Sequence, residues 1–404
     1  MKTTLFSAAM LAAISLQAQK TESFFAFSAM DQTNQWLNIQ SIQLNEQDPI
    51  KTIYDYRQSG NVLLNGYTRR PFSTAVNNNA PTETMVAATA YENYSRRLFF
   101  VPMKKAELRW VEWDAKGTPS YFAISSPVLG QLDMEKPENQ ITRMTIGADG
   151  FGYALTNDGK HLIRFTTGSK PVLTDLGNLI DASANGQQTV HSQCSSWGGD
   201  LVAAADGSLY LITLRNHIYQ ISTTSRIATY KGQISGLPQN FSSNAAAATA
   251  NGDLLVGCSY GNQNCYIVDI QNFKARPAFT RQPGNMNFSD LASGYFLFSR
   301  FSPSAPNQTN QELFTAESYQ LAVYPNPVSQ KVFRLNFKQA NTGMHTVQVT
   351  DLSGQLILQS NVQISGRGQA FTFNLPSETT GGLYLVRVTD HTEKVVHVTK
   401  VVVE

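Results

Sequence analysis

Apolar and polar residues alternate in short runs along most of this chain, a period of two that predicts strands. Three stretches of the first three hundred residues align with one another. They are Thr145-Ile146-Gly147-Ala148-Asp149-Gly150-Phe151-Gly152-Tyr153-Ala154-Leu155, Leu201-Val202-Ala203-Ala204-Ala205-Asp206-Gly207-Ser208-Leu209-Tyr210-Leu211-Ile212 and Ala246-Ala247-Ala248-Thr249-Ala250-Asn251-Gly252-Asp253-Leu254-Leu255-Val256. Each reads as a small-residue strand, an Asp-Gly or Asn-Gly turn, and an apolar strand. Gly150, Gly207 and Gly252 are separated by 57 and 45 residues. Looser copies lie at 85–102, around Glu92-Asn93, and at 288–298, around Ser293-Gly294. A third alternating strand follows each pair (108–113, 161–165, 218–221, 266–270), then a weaker fourth (120–124, 172–176, 227–230, 278–281).

Four antiparallel strands recurring at this period predict an all-β fold, a β-propeller-like domain over residues 20–301. Small residues suit the innermost strand of a blade, which crowds around the central channel. The last copy lacks partners, and strands at 24–27, 36–44 and 50–56 would complete it, closing the ring through the two ends of the domain. That makes five blades, or six if 61–67 forms a degenerate one; a β-sandwich or β-helix is the alternative architecture. Asp149, Asp206 and Asn251 stand singly at turns, so type I′ hairpin turns are expected there rather than calcium loops.

Residues 320–404 change character. Pro325 and Pro327 make Tyr324-Pro325-Asn326-Pro327 a stiff extended lead-in that cannot pair as a central strand. Val332, Arg334, Asn336 and Lys338 then interleave with Phe333, Leu335 and Phe337, and further runs follow to the end. Turns fall at Ser353-Gly354, Gly366-Arg367-Gly368 and Gly381-Gly382. About seven short strands without helical periodicity predict a small Ig-like β-sandwich, after a linker at 302–319.

The Tyr-Pro-Asn-Pro lead-in, Asp351-Leu352-Ser353-Gly354, Gly382-Leu383-Tyr384 and the apolar run between Lys394 and Val403 come in a set order. In that order and spacing the segment resembles the type A C-terminal sorting domain of the type IX secretion system. The resemblance implies passage by Sec and then through the type IX machinery, and removal of the tail by a sortase-like protease. It also implies a protein anchored on surface lipopolysaccharide or released to the medium. It makes Tyr324, Pro325, Asn326, Pro327, Gly354, Gly382, Tyr384, Lys394 and Lys400 the recognition and fold-defining positions; Glu404 departs from the pattern.

The N-terminus agrees. Lys2 precedes an apolar stretch from residue 5 to 16, the length of a signal-peptide core and too short to span a membrane, so residues 1–19 read as a signal peptide. No later stretch is long enough to span a membrane. The tail holds seven basic against five acidic residues, which leaves 24 of each before it, and the near-neutral front domain argues against nucleic acid.

Candidate chemistry is sparse. No G-x-S-x-G, H-E-x-x-H, P-loop or Rossmann fingerprint occurs, and no cofactor or metal is expected. His191 and Cys194 have the shape of half a metal site without its other half. Cys258 and Cys265 flank a short loop that would set them opposite one another, a candidate disulfide, with buried thiols as the alternative. The longest connections into inner strands, 58–84 and 177–197, carry Tyr67, Arg69, Arg70, three asparagines at 77–79, His191 and Trp197, residue types suited to carbohydrate or peptide. Two functions follow from these features: a surface or secreted propeller that binds a glycan, peptide or protein, or a hydrolase or lyase using Glu92, Asp200 or Asp290 at the channel.

Overall fold

The computed structural model describes residues 22–29, 35–44, 46, 48–57, 62–72, 80–93, 95–114, 116–261, 263–281, 286–299, 320–328, 330–339, 343–351, 355–364, 369–389 and 395–404. The signal peptide, the linker, Gly354, Lys394 and the asparagines at 77–79 lie outside them.

Among the described residues, five sheets form a closed propeller, three of four strands and two with a fifth strand on the outer edge, Ile180–Asp181 being that strand in blade 3. Blade 1 runs outward from Val86–Glu92 through Arg97–Pro102 and Glu107–Trp113 to Pro119–Ser125. Blade 2 contains Ile141–Ile146, Gly152–Thr156, Leu162–Phe165 and Leu173–Asp175. Blade 3 contains Asp200–Ala203, Leu209–Ile212, His217–Ile221 and Ile227–Gln233. Blade 4 contains Ala245–Ala248, Leu254–Gly257, Tyr266–Asp269 and Lys274–Pro277, its outer strand four residues earlier than the sequence suggested. In blade 5 the inner strand Phe288–Ala292 pairs with Ser23–Ser28, followed by Asn38–Gln43 and Ile50–Tyr54, so the two ends of the domain close the ring as expected. The segment considered for a sixth blade contributes Leu63–Asn65, a fifth strand pairing parallel to the outer edge of blade 1.

Strand alternation accounts for the core. Successive residues point to opposite faces, so each blade feeds two wedges of packing. Leu209 and Leu211 pack toward blade 2, whereas Tyr210 and Ile212 pack toward blade 4. Five such wedges, one between each neighbouring pair of blades, make up the propeller interior. At 25 cal/mol per Å², burying one large apolar side chain contributes about 2 kcal/mol.

The hairpin turns differ from expectation. Gly150, Gly207 and Gly252 have φ of 79°, 85° and 80°, while the residues before them keep negative φ. Gly150 N–H donates to Gly147 O (2.8 Å), and Gly207 and Gly252 repeat this bond with Ala204 and Thr249. These are type I turns with a glycine bulge; only the glycine position requires the left-handed region. The Asp149 and Asp206 carboxylates accept the amides of Phe151 (3.2 Å) and Ser208 (2.9 Å), which fixes the turns.

The C-terminal unit is a sandwich of two sheets. One orders Gln320–Tyr324, Val332–Gln339 and Gln369–Asn374; the other orders Leu356–Ile364, Gly343–Asp351, Gly382–Thr389 and Val395–Val403. Phe333, Leu335 and Phe337 point inward and are fully buried with Val347, Val349, Val386 and Val401.

Candidate functional site

A propeller channel has two ends. The crossover mouth is framed by connections from one blade to the next, and the hairpin mouth by the turns that leave the inner strands. The sequence directed attention to the first.

Deep in the channel, Asp200 and Asp290 are both 0% exposed. Asp200 accepts the amides of Leu201 (2.7 Å), Ala246 (2.7 Å) and Leu291 (3.4 Å), tying the inner strands of blades 3, 4 and 5 together. Asp290 lies beside it. Burial pushes both carboxyls far above the ordinary range, and the Asp200 charge pushes Asp290 further. The three amides oppose that rise at Asp200 by favouring its charged form. A buried cation, Arg143, feels the Asp200 charge; its guanidinium is held by the carbonyls of Thr156 (3.0 Å), Ser196 (2.5 Å) and Gly198 (3.0 Å). Burial pushes it down to about 9, still charged at neutral pH, and the Asp158 and Asp200 charges favour its protonated form. A cavity among the inner strands, lined by Thr89, Val202 and Ala247 among others, has a volume of about 10 Å³. That is room for one water and not for a substrate. The two carboxylates do converge, but in a place no glycan or peptide reaches.

The residues expected at the crossover mouth are not brought together. Tyr67, Arg69 and Arg70 form a turn on the outer edge of blade 1, where Asn65 Oδ1 accepts the amides of Tyr67 (3.0 Å) and Thr68 (2.9 Å). Arg69 forms a fork onto Glu112 (3.1 and 2.7 Å) and lies over the Phe122 ring. His191 sits in the connection into blade 3, with Nδ1 2.7 Å from Asp158 O and Nε2 3.1 Å from Leu179 O. Both ring nitrogens therefore face carbonyls, and the side chain fastens a loop. The indole N–H of Trp197 is buried without a partner. Among the described residues no hydrogen bond, ion pair or ring contact joins these two groups, and no cluster of three metal-ligating side chains occurs.

Cys258 and Cys265 are buried free thiols, and Cys194 is an exposed one. The expected disulfide fails by one residue of register. Val256 pairs with Tyr266, so continuing the ladder sets Cys265 against Gly257 rather than Cys258. Cys258 thus packs in the wedge toward blade 3 and Cys265 in the wedge toward blade 5.

The hairpin mouth is where chemistry collects. A cavity of about 40 Å³ lies there, lined by Tyr91, Glu92, Asn93, Gly147, Gly294 and Phe296, with Asn336 of the sandwich as a further wall. Arg334 Nη1 lies 3.0 Å from Asp149 Oδ2, which also accepts the Tyr153 hydroxyl (2.7 Å). Asp149 is 4% exposed; burial raises its pKa, while Tyr153 and the Arg334 charge oppose the rise. Asn336 stands over Gly150 and Tyr324 over Gly207, each so close that a Cβ on the glycine would collide with it. Burial first, then the charges of Asp206 and Asp149, push the Tyr324 hydroxyl up to about 12. The sequence sets Arg334 and Asn336 in alternation with Phe333, Leu335 and Phe337 but does not reveal what they meet.

The other sorting-motif residues serve the sandwich itself. The Asn326 amide donates to Lys400 O (3.1 Å) and its oxygen accepts the Val402 amide (2.9 Å), fastening the lead-in to the last strand. The peptide bonds before Pro325 and Pro327 are cis. Tyr384 donates its hydroxyl to Thr380 O (2.8 Å), and Gly382 opens its strand.

Residues 322–404 match the family model described as a secretion system C-terminal sorting domain. No curated protein matches the sequence. Among solved structures, PorZ, a surface component of the type IX secretion system of Porphyromonas gingivalis, is 14% identical with a TM-score of 0.32, over 94% of this chain and 51% of that one. The extracellular domain of a one-component system from B. thetaiotaomicron is 11% identical with a TM-score of 0.32, over 91% and 47%. Virginiamycin B lyase from Staphylococcus aureus is 10% identical with a TM-score of 0.31, over 90% and 88%. The chain spans about half the length of the first two. Likeness at this level transfers neither ligand nor activity. The sorting domain marks a secreted protein that engages the type IX machinery. Among the described residues no helix is long and apolar enough to cross a membrane.

Proposed function

We propose that this is a secreted or surface-displayed binding protein whose working unit is the propeller, residues 20–301, and whose ligand site is the hairpin mouth. The tail at 320–404, joined by the linker at 302–319, is then the export address. A sortase-like protease removes it, and the propeller is left on surface lipopolysaccharide or free in the medium.

One contrast carries the binding reading. The convergent acid pair is fully buried, whereas aromatic, amide and carboxylate groups surround the cavity at the hairpin mouth. Chemistry on a substrate needs access to its acid and base, and recognition needs a concave surface with a few fixed polar groups. The mouth supplies the second. Glycan and peptide arrays probed with the exported protein test this, alongside Asn93→Trp, which places a large ring at the exposed rim. Loss of the recognised ligand in Asn93→Trp is the expected result. A ligand that binds this variant unchanged would place the site elsewhere.

A further inference from the structure

We propose that the sorting domain is the first occupant of the hairpin mouth, and that Arg334 holds the place later taken by an arginine or lysine of a basic peptide ligand. The inference rests on the mouth being the binding site and adds the chemical class of what binds there. While the tail is docked, the mouth is shut.

Charge distribution is the first support. The ends of the inner strands and the turns at this mouth carry Glu92, Asp149, Asp206 and Asp253, with Arg96, Arg97 and Arg164 as the propeller's own neighbouring cations. Facing them, the tail contributes Arg334, whose partly exposed guanidinium meets the buried Asp149 carboxylate at 3.0 Å. Such a charge-assisted bond is strong where water is excluded, and it selects for a cation.

Shape is the second support. The turn glycines have no side chain, so Asn336 and Tyr324 reach the backbone of blades 2 and 3. A mouth built this way accepts an extended chain lying across its turns.

The third observation separates a temporary occupant from a permanent one. Asn336 is 4% exposed, lines the cavity, and its Oδ1 has no hydrogen-bond partner. An orphaned buried oxygen costs about 1–3 kcal/mol. The cost falls on the tail, whose Asn336 oxygen regains water when the domain undocks, so an occupant without that burden displaces it.

Full-length Arg334→Glu is the decisive variant, because Arg334 is on the outward face of its strand and its loss leaves both cores intact. Binding of a fluorescent tetra-arginine peptide is measured by anisotropy, with tetra-glutamate as control. Wild type with its tail attached should bind tetra-arginine weakly. Arg334→Glu should bind it at least tenfold more tightly, with affinity falling as salt rises. Arg334→Glu combined with Asp149→Asn should lose that gain, since asparagine keeps the turn and removes the charge. Wild type carrying a specific protease site within 302–319 should gain the same binding once cut. Equal binding by wild type and Arg334→Glu overturns the proposal, as does a gain that Asp149→Asn leaves intact. If Arg334→Glu instead exposes a site for tetra-glutamate or a neutral glycan that Asn93→Trp abolishes, the cationic class is wrong and the mouth stands. Tetra-arginine binding that Asn93→Trp leaves unchanged removes the mouth itself.

Discussion

Two carboxylate sites in this propeller are about equally buried, and for opposite reasons. Asp200 and Asp290 are enclosed by the inner strands of their own domain, while Asp149 is covered by a separate domain through Arg334. Burial by the fold is permanent; burial by another domain lasts as long as the contact. The first pair is part of how the ring closes, and the second is a surface in waiting.

The largest test concerns the cover. Deleting residues 320–404 should abolish surface display and trap the propeller in the periplasm, as followed by surface proteolysis and fractionation. The trapped domain should still fold, because its five wedges of core contain no tail residue. An unfolded product would show that the tail belongs to the structure rather than covering it.

Next come the sealed acids. Asp200→Ala strands three amides on three strands, and a loss of roughly 3–5 kcal/mol is expected in urea unfolding at pH 7. Asp290→Asn should act in the other direction. An unfolded aspartate has a pKa of about 3.9, and both folded values are raised. A carboxyl with a raised folded pKa contributes stability that is complete below about pH 4 and is lost as pH climbs through the folded value. Wild type should therefore weaken from acid toward neutral pH. Asparagine donates to Asp200 without ionising, so the variant should gain on the order of 1–3 kcal/mol at pH 8 and show a flatter profile. An unchanged profile would mean that the pair is not the source of the pH dependence.

A smaller effect is expected where the two domains meet. Arg334→Glu should leave the propeller transition in place and make the tail melt separately, with a loss of about 1–2 kcal/mol of docking energy, since a half-buried pair is worth more than a surface one. Scanning calorimetry separates the two transitions. A single shared transition, lowered by several degrees, would instead make the interface integral.

How much of this was legible beforehand follows from the range of each interaction. The blades, their closure and the sandwich are written in local alternation and turn residues, so the sequence conveyed them with small errors of register. The outer strand of blade 4 was displaced because Lys274–Pro277 alternates poorly and contains a proline. Asp200 and Asp290 were picked as channel residues, yet their seclusion depends on inner strands from three different blades. His191 and Trp197 lie far from Tyr67 because Leu63–Asn65 carries its turn to an outer edge, a parallel pairing that no local pattern announces. Arg334 was legible as a polar position alternating with apolar ones, and what it touches is 185 positions away.

The cysteines give the smallest effect and a direct reading of the sealed interior. Cys265 packs with Phe288 and Leu291 in the wedge between blades 4 and 5, and burial pushes its thiol well above the usual range. Cys258 faces the opposite wedge, so neither thiol can attack the other without breaking the ladder between them. Reducing agent should therefore leave the melting temperature unchanged, and Cys258→Ala should shift stability by the small cost of a lost sulfur contact, about 1 kcal/mol. Labelling sharpens the result: exposed Cys194 should react with a thiol reagent at once, and the other two only on unfolding. If Cys265 reacts in native Asp200→Ala but not in wild type, the carboxylate is what keeps the wedge between blades 4 and 5 shut. Labelling of Cys265 in Arg334→Glu would contradict the separation of the two sites, because lifting a cover at the hairpin mouth should not open a seal made by the ring.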